Sequence, residues 1–245
     1  MMGHSFSFSP IARIRSCYPE RFGIPRQAGL VPSAYAEVVF ERTEANRLAL
    51  RGIEQFSHLW ILFVFHRQHY PKKFKPLVQP PRLGGRKTMG VYATRSPNRQ
   101  NPIGMSAVLL DGLAETAEEI VLQVRGGDFL DGTPVIDVKP YVGYADAIAT
   151  AHSPWQAEPL LPVVWSEPVQ AVLAQTPAAP RLRQVIEETL AQDPRPAHER
   201  GRDGQPGQEW NMQLGCFSVF WAVDARRVRV TRLVLRAEEP ESELA

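Results

Sequence analysis

Short apolar segments separated by turn-forming residues make up most of residues 1–165. Such runs, rich in β-branched and aromatic residues and bounded by Gly, Pro, Asn or Asp, are typical of β-strands. They occur at residues 36–41, 57–66, 88–93, 103–110, 119–125 and 135–142. Few helical patterns lie between them, which argues against a doubly wound parallel sheet. The pattern therefore predicts a closed or nearly closed β-barrel.

The pattern changes beyond the proline-rich passage at residues 153–170. In residues 181–191, apolar residues recur at helical spacing. Further on, CFSVFWAV and VRVTRLVL flank DARR, which predicts a β-hairpin. We therefore expect a mainly β chain of the α+β class with two domains. Residues 1–165 would form the β-barrel, and residues 166–245 a small α+β C-terminal domain.

Composition and cysteine usage are those of an ordinary globular protein. The chain has 245 residues, of which 44% are hydrophobic and 22% charged, and its 22 prolines argue against long uninterrupted helices. Cys17 and Cys216 lie far apart and indicate no disulfide framework. The N-terminus lacks a long apolar segment, and the longest apolar run, LWILFVF, is too short to span a bilayer. We expect a cytoplasmic protein that does not cross a membrane.

Positive charge is concentrated in one interval, although the net charge is only +2. No acidic residue lies between Glu54 and Asp111. The same interval contains nine cations: Arg67, Lys72, Lys73, Lys75, Arg82, Arg86, Lys87, Arg95 and Arg99. These charges repel one another unless anions compensate them, and nucleic acid is the usual source of many phosphates. The alternative is a solvated basic face that distant carboxylates neutralise.

The common nucleotide-binding and catalytic motifs are absent from this sequence. It has no GxGxxG after a strand, no GxxxxGK[ST], and no HExxH, CxxC or GxSxG. Instead, polar clusters accompany the apolar runs: GIPRQ, FVFHRQH, GVYATRSPNRQNPIGMS and GGDFLDGTPVIDVKPY. In the third cluster, Arg95 and Arg99 carry planar, multi-donor groups that suit carboxylate or phosphate. Pro97 and Pro102 restrict that loop and lower the entropy lost when it is ordered.

The residues alone leave two hypotheses about function open. His66 and His69, with Asp128 and Asp131, would suit a metal-dependent hydrolase, although no third clear ligand lies near the histidines in sequence. Asp131 also fits a turn in which Gly132 permits a positive φ. Alternatively, Asp128, Asp131 and Asp137 would suit contacts to a cationic group or a ribose. A non-catalytic, RNA-binding β-barrel is the second alternative.

Four long segments, in the order in which they occur, resemble one family. FSHLWILFVFH, PPRLGG, GVYATRSPNRQNPIGMS and DFLDGTPVIDVKPYVGYADA are similar to motifs of the TrmO/YaeB-like tRNA methyltransferases. The later DPRP resembles the C-terminal signature of that family. The resemblance is close over about residues 6–154 and looser beyond. One departure is Gln100, which stands where relatives usually have proline.

The resemblance implies an S-adenosylmethionine-dependent tRNA (adenine-N6)-methyltransferase. Members of the family methylate N6 of a threonylcarbamoyladenosine next to the anticodon, so the expected partner is the anticodon stem-loop of tRNA. The resemblance also implies an unusual β-barrel methyltransferase domain rather than a Rossmann fold, and a homodimer.

Transferred to matching positions, the resemblance also implies a cofactor pocket. Its expected residues are Pro25, Arg26, Gln27, His66, Arg67, Arg95, Met105, Leu130, Asp131, Gly132 and Thr133. For contacts to RNA we expect the cations Lys72, Lys73, Lys75, Arg86, Lys87 and Arg99. Asp137 and Tyr141 are candidates to orient the reacting adenine or to accept its proton. No bound metal is expected.

Overall fold

The computed structural model describes residues 6–67, 74–80, 87–154, 158–176, 179–196, 199–200, 208–224 and 226–236. The N-terminal part forms β1 (Ala12–Ser16), β2 (Tyr35–Glu41), α1 (Glu44–Ala49), β3 (His58–Val64), β4 (Leu77–Val78), β5 (Met89–Gly90), β6 (Ile103–Glu115), β7 (Glu119–Arg125), β8 (Pro134–Pro140) and α2 (Gly143–Asp146). The C-terminal part forms β9 (Val163–Trp165), α3 (Glu167–Ala174), α4 (Ala179–Ala191), β10 (Trp210–Leu214), β11 (Phe217–Asp224) and β12 (Arg227–Leu235). The prediction of a mainly β chain with few helices is confirmed.

Six strands close into an antiparallel barrel in the order β1-β2-β7-β6-β3-β8. Closure comes from β8, which pairs with β1 and also with β3. Because successive strand residues face opposite sides, β2 buries Ala36, Val38 and Phe40 and turns Glu41 to solvent. The same alternation on the other strands fills the barrel with apolar side chains. Each Val, Leu, Ile or Phe among them contributes about 1.5–3 kcal/mol on burial, so this interior is the main source of the stability of the barrel.

Strands β1, β4, β5 and β6 of the N-terminal part differ from the sequence-based expectation, and β4 lies outside every predicted segment. β6 continues past residue 110 to Glu115, with a register shift between Leu110 and Gly112. Within residues 88–93 only Met89–Gly90 is extended, because Val91–Ala93 forms a 3₁₀ helix. β1 was not predicted, since ARIRS alternates apolar and polar residues over only five positions.

A second sheet lies in the C-terminal part, with the strand order β10-β11-β12-β9. Its β11 and β12 are the hairpin that the sequence predicts, and α4 contains the predicted helix. One face of the sheet packs against α3 and α4 around the buried Phe217 and Trp221. β9, just before the predicted domain boundary, pairs in parallel with β12. None of the helices built by the described residues is long and apolar enough to cross a membrane.

Residues 17–34, which connect β1 to β2, complete the core of this C-terminal part. The hydroxyl of the buried Tyr18 lies 3.0 Å from Thr189 Oγ1. The backbone N–H and the hydroxyl of Ser33 donate to Glu188 Oε2 at 2.9 and 2.6 Å. The barrel and the second sheet are therefore joined by packed and hydrogen-bonded chain, and not only by the segment after α2.

Candidate functional site

The polar clusters of the sequence meet at one end of the barrel. β3 ends where its antiparallel neighbours β6 and β8 begin. The residues that follow β3 and those that precede β6 and β8 therefore come together, although they are far apart in sequence. Between them and the loop before β2 lies a cavity of about 530 Å³, here called the small cavity. Its lining residues are Arg21, Ile24, Pro25, Arg26, Gln27, Phe63, Phe65, His66, Arg67, Arg95, Pro97, Arg99, Asn101, Ile103, Gly104, Met105, Ser106, Asp128, Leu130 and Thr133.

Most of the residues predicted to bind a cofactor line this small cavity. They are Pro25, Arg26, Gln27, His66, Arg67, Arg95, Met105, Leu130 and Thr133. The other two, Asp131 and Gly132, lie in the turn between Leu130 and Thr133 and are not among the described lining residues. Asp131 Oδ1 accepts from the backbone N–H of Ser16 at 2.7 Å, and Gly132 has a φ of +73°. These two residues hold the shape of the turn that presents their neighbours to the cavity.

Cationic side chains dominate the polar lining of the small cavity. Arg95 Nη1 donates to Gln27 Oε1 at 2.5 Å, which ties the arginine-containing loop to the loop before β2. Arg26 Nη1 lies 3.1 Å from Glu158 Oε1, and Arg21 donates to the backbone carbonyl of Arg67. Guanidinium groups held in this way present further donors to a carboxylate or a phosphate.

Asp128 is the one carboxylate among the described residues that line the small cavity. It accepts from Ser106 Oγ at 2.5 Å. Burial raises the pKa of the Asp128 carboxyl, while the hydrogen bond from Ser106 opposes this shift. The sequence indicates Asp128 as a metal ligand or as a contact to a cationic group or a ribose, but it does not predict the contact with Ser106, which depends on the fold.

His66 follows the end of β3 and lines the small cavity. Burial lowers the pKa of its imidazole, and the positive charges of Arg67 and Arg13 lower it further. The ring is therefore neutral near pH 7. A neutral ring adds no positive charge to a cavity that already holds several guanidinium groups.

A second, larger cavity adjoins the small one. It measures about 1450 Å³ and shares Arg26, Gln27, Arg95, Pro97 and Arg99 with the small cavity. Lys75 also lines it, and its described lining residues include no aspartate or glutamate. We call it the large cavity. It has the positive charge and the size that a polyanion would need.

The six cations predicted to contact RNA have different positions. Lys75 and Arg99 line the large cavity. Lys87 is exposed shortly before β5. Lys72, Lys73 and Arg86 lie outside the described residues.

Asp137 and Tyr141 lie apart from both cavities as the described residues define them. Asp137 is on β8, where its carboxylate is 2.7 Å from Lys139 Nζ. The ring of Tyr141 contacts that of Trp60, with centroids 5.4 Å apart. The structure therefore places neither side chain beside the predicted cofactor residues.

The hydrolase hypothesis needs a cluster of metal ligands. Among the residues that the structure describes, no three His, Cys, Asp or Glu side chains come together in a way that could hold a metal ion. His69, one of the ligands of that hypothesis, lies outside these residues.

Several residues that line the small cavity were not predicted from the sequence. Phe63 and Gly104 are direct partners in the β3–β6 ladder, and a Cβ at Gly104 would run into the ring of Phe63. Glycine is therefore required there for close packing. The glycine inside the otherwise apolar strand of NPIGMS was the available signal, since a glycine in a strand often marks such an approach.

The fold and the two cavities first define a class of protein. It is mainly β, its sequence has no glycine-rich nucleotide-binding motif, and a small charged cavity adjoins a larger cationic one. Comparison with known families gives two matches. The tRNA-methyltransferase O N-terminal domain matches residues 13–147, and the TrmO C-terminal domain matches residues 158–236. The chain belongs to the TrmO family of tRNA methyltransferases.

Individual relatives agree with this family. The tRNA (adenine(37)-N6)-methyltransferase of Escherichia coli K12 is 43% identical over 223 residues, which cover 89% of this chain and 94% of the relative. A Pseudomonas aeruginosa protein, named as an S-adenosylmethionine-dependent methyltransferase, is 44% identical over 225 residues, which cover 88% of this chain and 91% of that protein. A crystal structure of TrmO from Pseudomonas aeruginosa aligns with a TM-score of 0.73 and 37% identity, covering 94% of this chain and all of the other.

Proposed function

We propose that this chain transfers the methyl group of S-adenosylmethionine to N6 of adenine 37 in tRNA, next to the anticodon. The observation that carries the proposal is the small cavity, in which nine of the predicted cofactor residues meet. The family to which the chain belongs and the activity named for the Escherichia coli relative support the same reaction. The family resemblance further suggests that the adenine carries a threonylcarbamoyl group.

The small cavity fits S-adenosylmethionine in size and in chemistry. Its volume of about 530 Å³ lies within the range of roughly 300–1,000 Å³ that is usual for small-molecule sites. The cofactor has a carboxylate, an ammonium group, a ribose and an adenine. We assign the carboxylate to Arg95 or Arg26, a hydroxyl or ammonium group to Asp128, and the adenine to Met105 and Leu130.

When bound, S-adenosylmethionine supplies an electrophilic methyl group on a positively charged sulfur. The chain has to hold the acceptor nitrogen in line with that group. Adenine N6 is a weak nucleophile because its lone pair is conjugated with the ring, so positioning is the main catalytic resource. Well-held geometry can contribute about 7–11 kcal/mol in favourable cases.

Neutral His66 and the hydrogen-bonded Asp128 suit the charge of this reaction. Because the pKa of His66 is lowered, its ring does not repel a sulfonium near pH 7. The proton of N6 has to leave during or after attack, to water or to a side chain. Asp137 and Tyr141 were the predicted acceptors, but neither lines the small cavity as described, so we assign the proton to water.

The large cavity is the proposed site for the anticodon stem-loop. Lys75 and Arg99 line it, and the shared wall at Arg95, Arg99 and Pro97 connects it to the small cavity. A nucleotide held there is adjacent to the methyl donor. Phosphate contacts of this kind weaken steeply with salt, so binding should too.

At the level of the whole chain we propose a β-barrel catalytic domain and an α+β domain that orients the tRNA, with the boundary before β9 and not at residue 165, because β9 pairs with β12. The family resemblance supports a cytoplasmic homodimer. Light scattering coupled to gel filtration would measure the oligomeric state, and a monomer at working concentration would contradict it.

Isothermal titration with S-adenosylmethionine, with and without a chelator, tests the cofactor assignment. We expect one binding site per chain and the same affinity in both conditions. If the cofactor binds only in the presence of tRNA, the site is completed by the substrate. Loss of S-adenosylmethionine binding in the presence of the chelator would contradict the assignment and favour the metal-dependent hydrolase hypothesis. The comparisons support neither that hypothesis nor a non-catalytic RNA-binding barrel.

A further inference from the structure

Two aromatic rings face each other at the wall of the large cavity. Phe74 and Tyr92 both line it, with ring centroids 6.3 Å apart and an angle of 27° between the planes. This is an offset stack rather than a closed core contact. Tyr92 is 70% exposed and Phe74 40% exposed, although large apolar side chains usually avoid water. Each ring therefore keeps part of its surface accessible, and that of Tyr92 is the more exposed of the two.

A small β-ribbon holds these two rings in place. Phe74 precedes β4, and Tyr92 follows β5, its partner strand. The backbone N–H of Val91 extends the ladder by donating to the carbonyl of Pro76 at 2.8 Å, and Val91 is itself buried. Anchoring at Val91 fixes the backbone next to Tyr92 while its ring stays exposed.

Gln100, the departure of this chain from the usual proline, contacts the edge of the Tyr92 ring. The Tyr92 hydroxyl donates to Gln100 Oε1 at 3.2 Å. The hydrogen bond leaves the ring face open and ties it to the loop that also carries Arg95 and Arg99. The ring is thus oriented by the same loop that separates the two cavities.

The surroundings of the rings favour an RNA base as the occupant. Lys75 is next to Phe74 in sequence, and Arg99 lines the same cavity, so phosphates find cations beside an aromatic face. Aromatic side chains next to a cationic groove are the usual means of holding single-stranded nucleic acid. An enzyme that modifies a base also has to take that base out of its stack.

We propose that Tyr92, supported by Phe74, is a stacking platform for an unstacked base of the tRNA anticodon loop. This inference rests on the proposed function and adds a substrate-binding residue to it. Tyr92 lines the large cavity and is absent from the described lining of the small one, so its role concerns RNA and not the cofactor.

The test measures binding of a fluorescein-labelled anticodon stem-loop RNA by anisotropy at fixed salt. Tyr92→Leu removes the ring but keeps an apolar side chain, and we expect about tenfold weaker binding. Tyr92→Phe keeps the ring and should stay within about twofold of the wild type. Phe8→Leu is the matched control, since Phe8 is 68% exposed and does not line either cavity as described. Affinity for S-adenosylmethionine should be the same in all four proteins.

Stacking is separated from other contacts by replacing each loop base in turn with an abasic site. The loss caused by Tyr92→Leu should disappear for one position of the loop and persist at the others. An equal loss at every position, or no loss with the intact RNA, overturns the proposal. If Tyr92→Leu changes the melting temperature or the cofactor affinity, Phe74→Leu is measured in the same series and should weaken binding in the same base-dependent way.

Methyl transfer to tRNA by the same proteins distinguishes the two proposals. If the wild type transfers the methyl group and Tyr92→Leu binds the RNA as tightly as the wild type, only the stacking proposal is wrong. Wild type that binds RNA but transfers no methyl group contradicts the proposed function, while the anisotropy series still decides on the platform.

Discussion

Arg95 connects two loops of the candidate site. It lines both cavities, and its guanidinium donates to Gln27 Oε1 at 2.5 Å. Gln27 itself lines both cavities. A single side chain thus links the loop before β2, the loop of residues 94–102 (here called the arginine loop) and the boundary between the two predicted binding sites.

Replacing Arg95 with alanine should weaken the binding of S-adenosylmethionine. A hydrogen bond to a charged group is worth about 1.5–3 kcal/mol, which corresponds to roughly 10–100-fold in Kd. Isothermal titration measures this directly. Arg229→Ala is the control, because Arg229 is paired with Asp224 in the C-terminal sheet at 2.8 Å. Unchanged affinity in Arg95→Ala would remove Arg95 from the cofactor site.

His66 gives the stability of the protein a pH dependence. Its pKa is lowered in the folded chain, first by burial and then by Arg67 and Arg13, so the unfolded chain binds the proton more readily. The resulting stability is present above the ordinary histidine pKa of about 6.5 and is lost as the pH falls through the lowered value. Between about pH 7 and pH 5, the free energy of unfolding should therefore fall less in His66→Gln than in the wild type.

Urea denaturation at several pH values checks this expectation. His58→Gln, at the exposed start of β3, serves as the control and should keep the pH dependence of the wild type. A His66→Gln curve parallel to that of the wild type would show that His66 keeps its ordinary pKa in the folded chain.

Among the elements, the arginine loop is ordered largely by its own hydrogen bonds. Thr94 Oγ1 donates to the carbonyl of Val91 at 2.8 Å, and Arg99 Nη1 reaches the carbonyls of Thr94 and Ser96 at 3.4 Å. The backbone N–H of Asn98 donates to Ser96 Oγ at 3.2 Å. Together with the two prolines, these bonds reduce the entropy that a ligand would otherwise have to offset.

The β3–β6 ladder provides a matched test of close packing. Gly104→Ala should destabilise the protein by about 1–3 kcal/mol, because the added Cβ meets the ring of Phe63. Gly112→Ala, on the same strand, meets only Gln123 Oε1 at an ordinary 3.5 Å and should be close to neutral. Thermal denaturation measures both. Equal melting temperatures for the two variants would contradict the packing account.

Strands formed by longer apolar runs were predictable from the sequence, and those defined by their partners were not. β2, β3 and β7 coincide with predicted segments within about two residues, because each has seven residues with several buried apolar side chains. β4 and β5 have two residues each, too few for any periodic signal. The pairing of β4 with β5 forms the ribbon next to Phe74 and Tyr92. The hydrophobic pattern of the sequence therefore could not predict the large cavity.

At the scale of the whole molecule, the chain between β1 and β2 makes the two parts depend on each other. Cys17, immediately after β1, is buried in the core of the C-terminal part, whereas Cys216 is exposed. The backbone N–H of Gly215 donates to the carbonyl of Cys17 at 2.8 Å. Burial raises the pKa of the Cys17 thiol to about 12.

A thiol reagent at pH 8 should therefore label one cysteine per native chain and two per unfolded chain. The thiolate is the reactive form, and Cys17 has almost none of it while it is buried. The native Cys216→Ser variant should show no labelling, and the rate at which Cys17 reacts in denaturant should follow global unfolding. Fast labelling of native Cys216→Ser would show that the connection between the two parts opens on its own.

Much of the candidate site was predictable from motifs, but its geometry was not. The resemblance led to nine residues that line the small cavity. The partner of Asp128 is Ser106 on β6, and the nearest ring to Tyr141 is on β3, contacts that only the barrel closure creates. Asp137 and Tyr141 were selected from their motif, which carries no information about which side of β8 faces the cavity.

The central claim is methyl transfer to adenine 37 through the small cavity. The most direct measurement incubates tRNA that bears threonylcarbamoyladenosine with labelled S-adenosylmethionine and maps the product by mass spectrometry of nuclease digests. We predict one labelled methyl group on N6 of adenine 37 with the wild type, and a loss of at least about tenfold in kcat/KM with Arg95→Ala. Label at another nucleotide, or equal transfer by both proteins, would contradict the account.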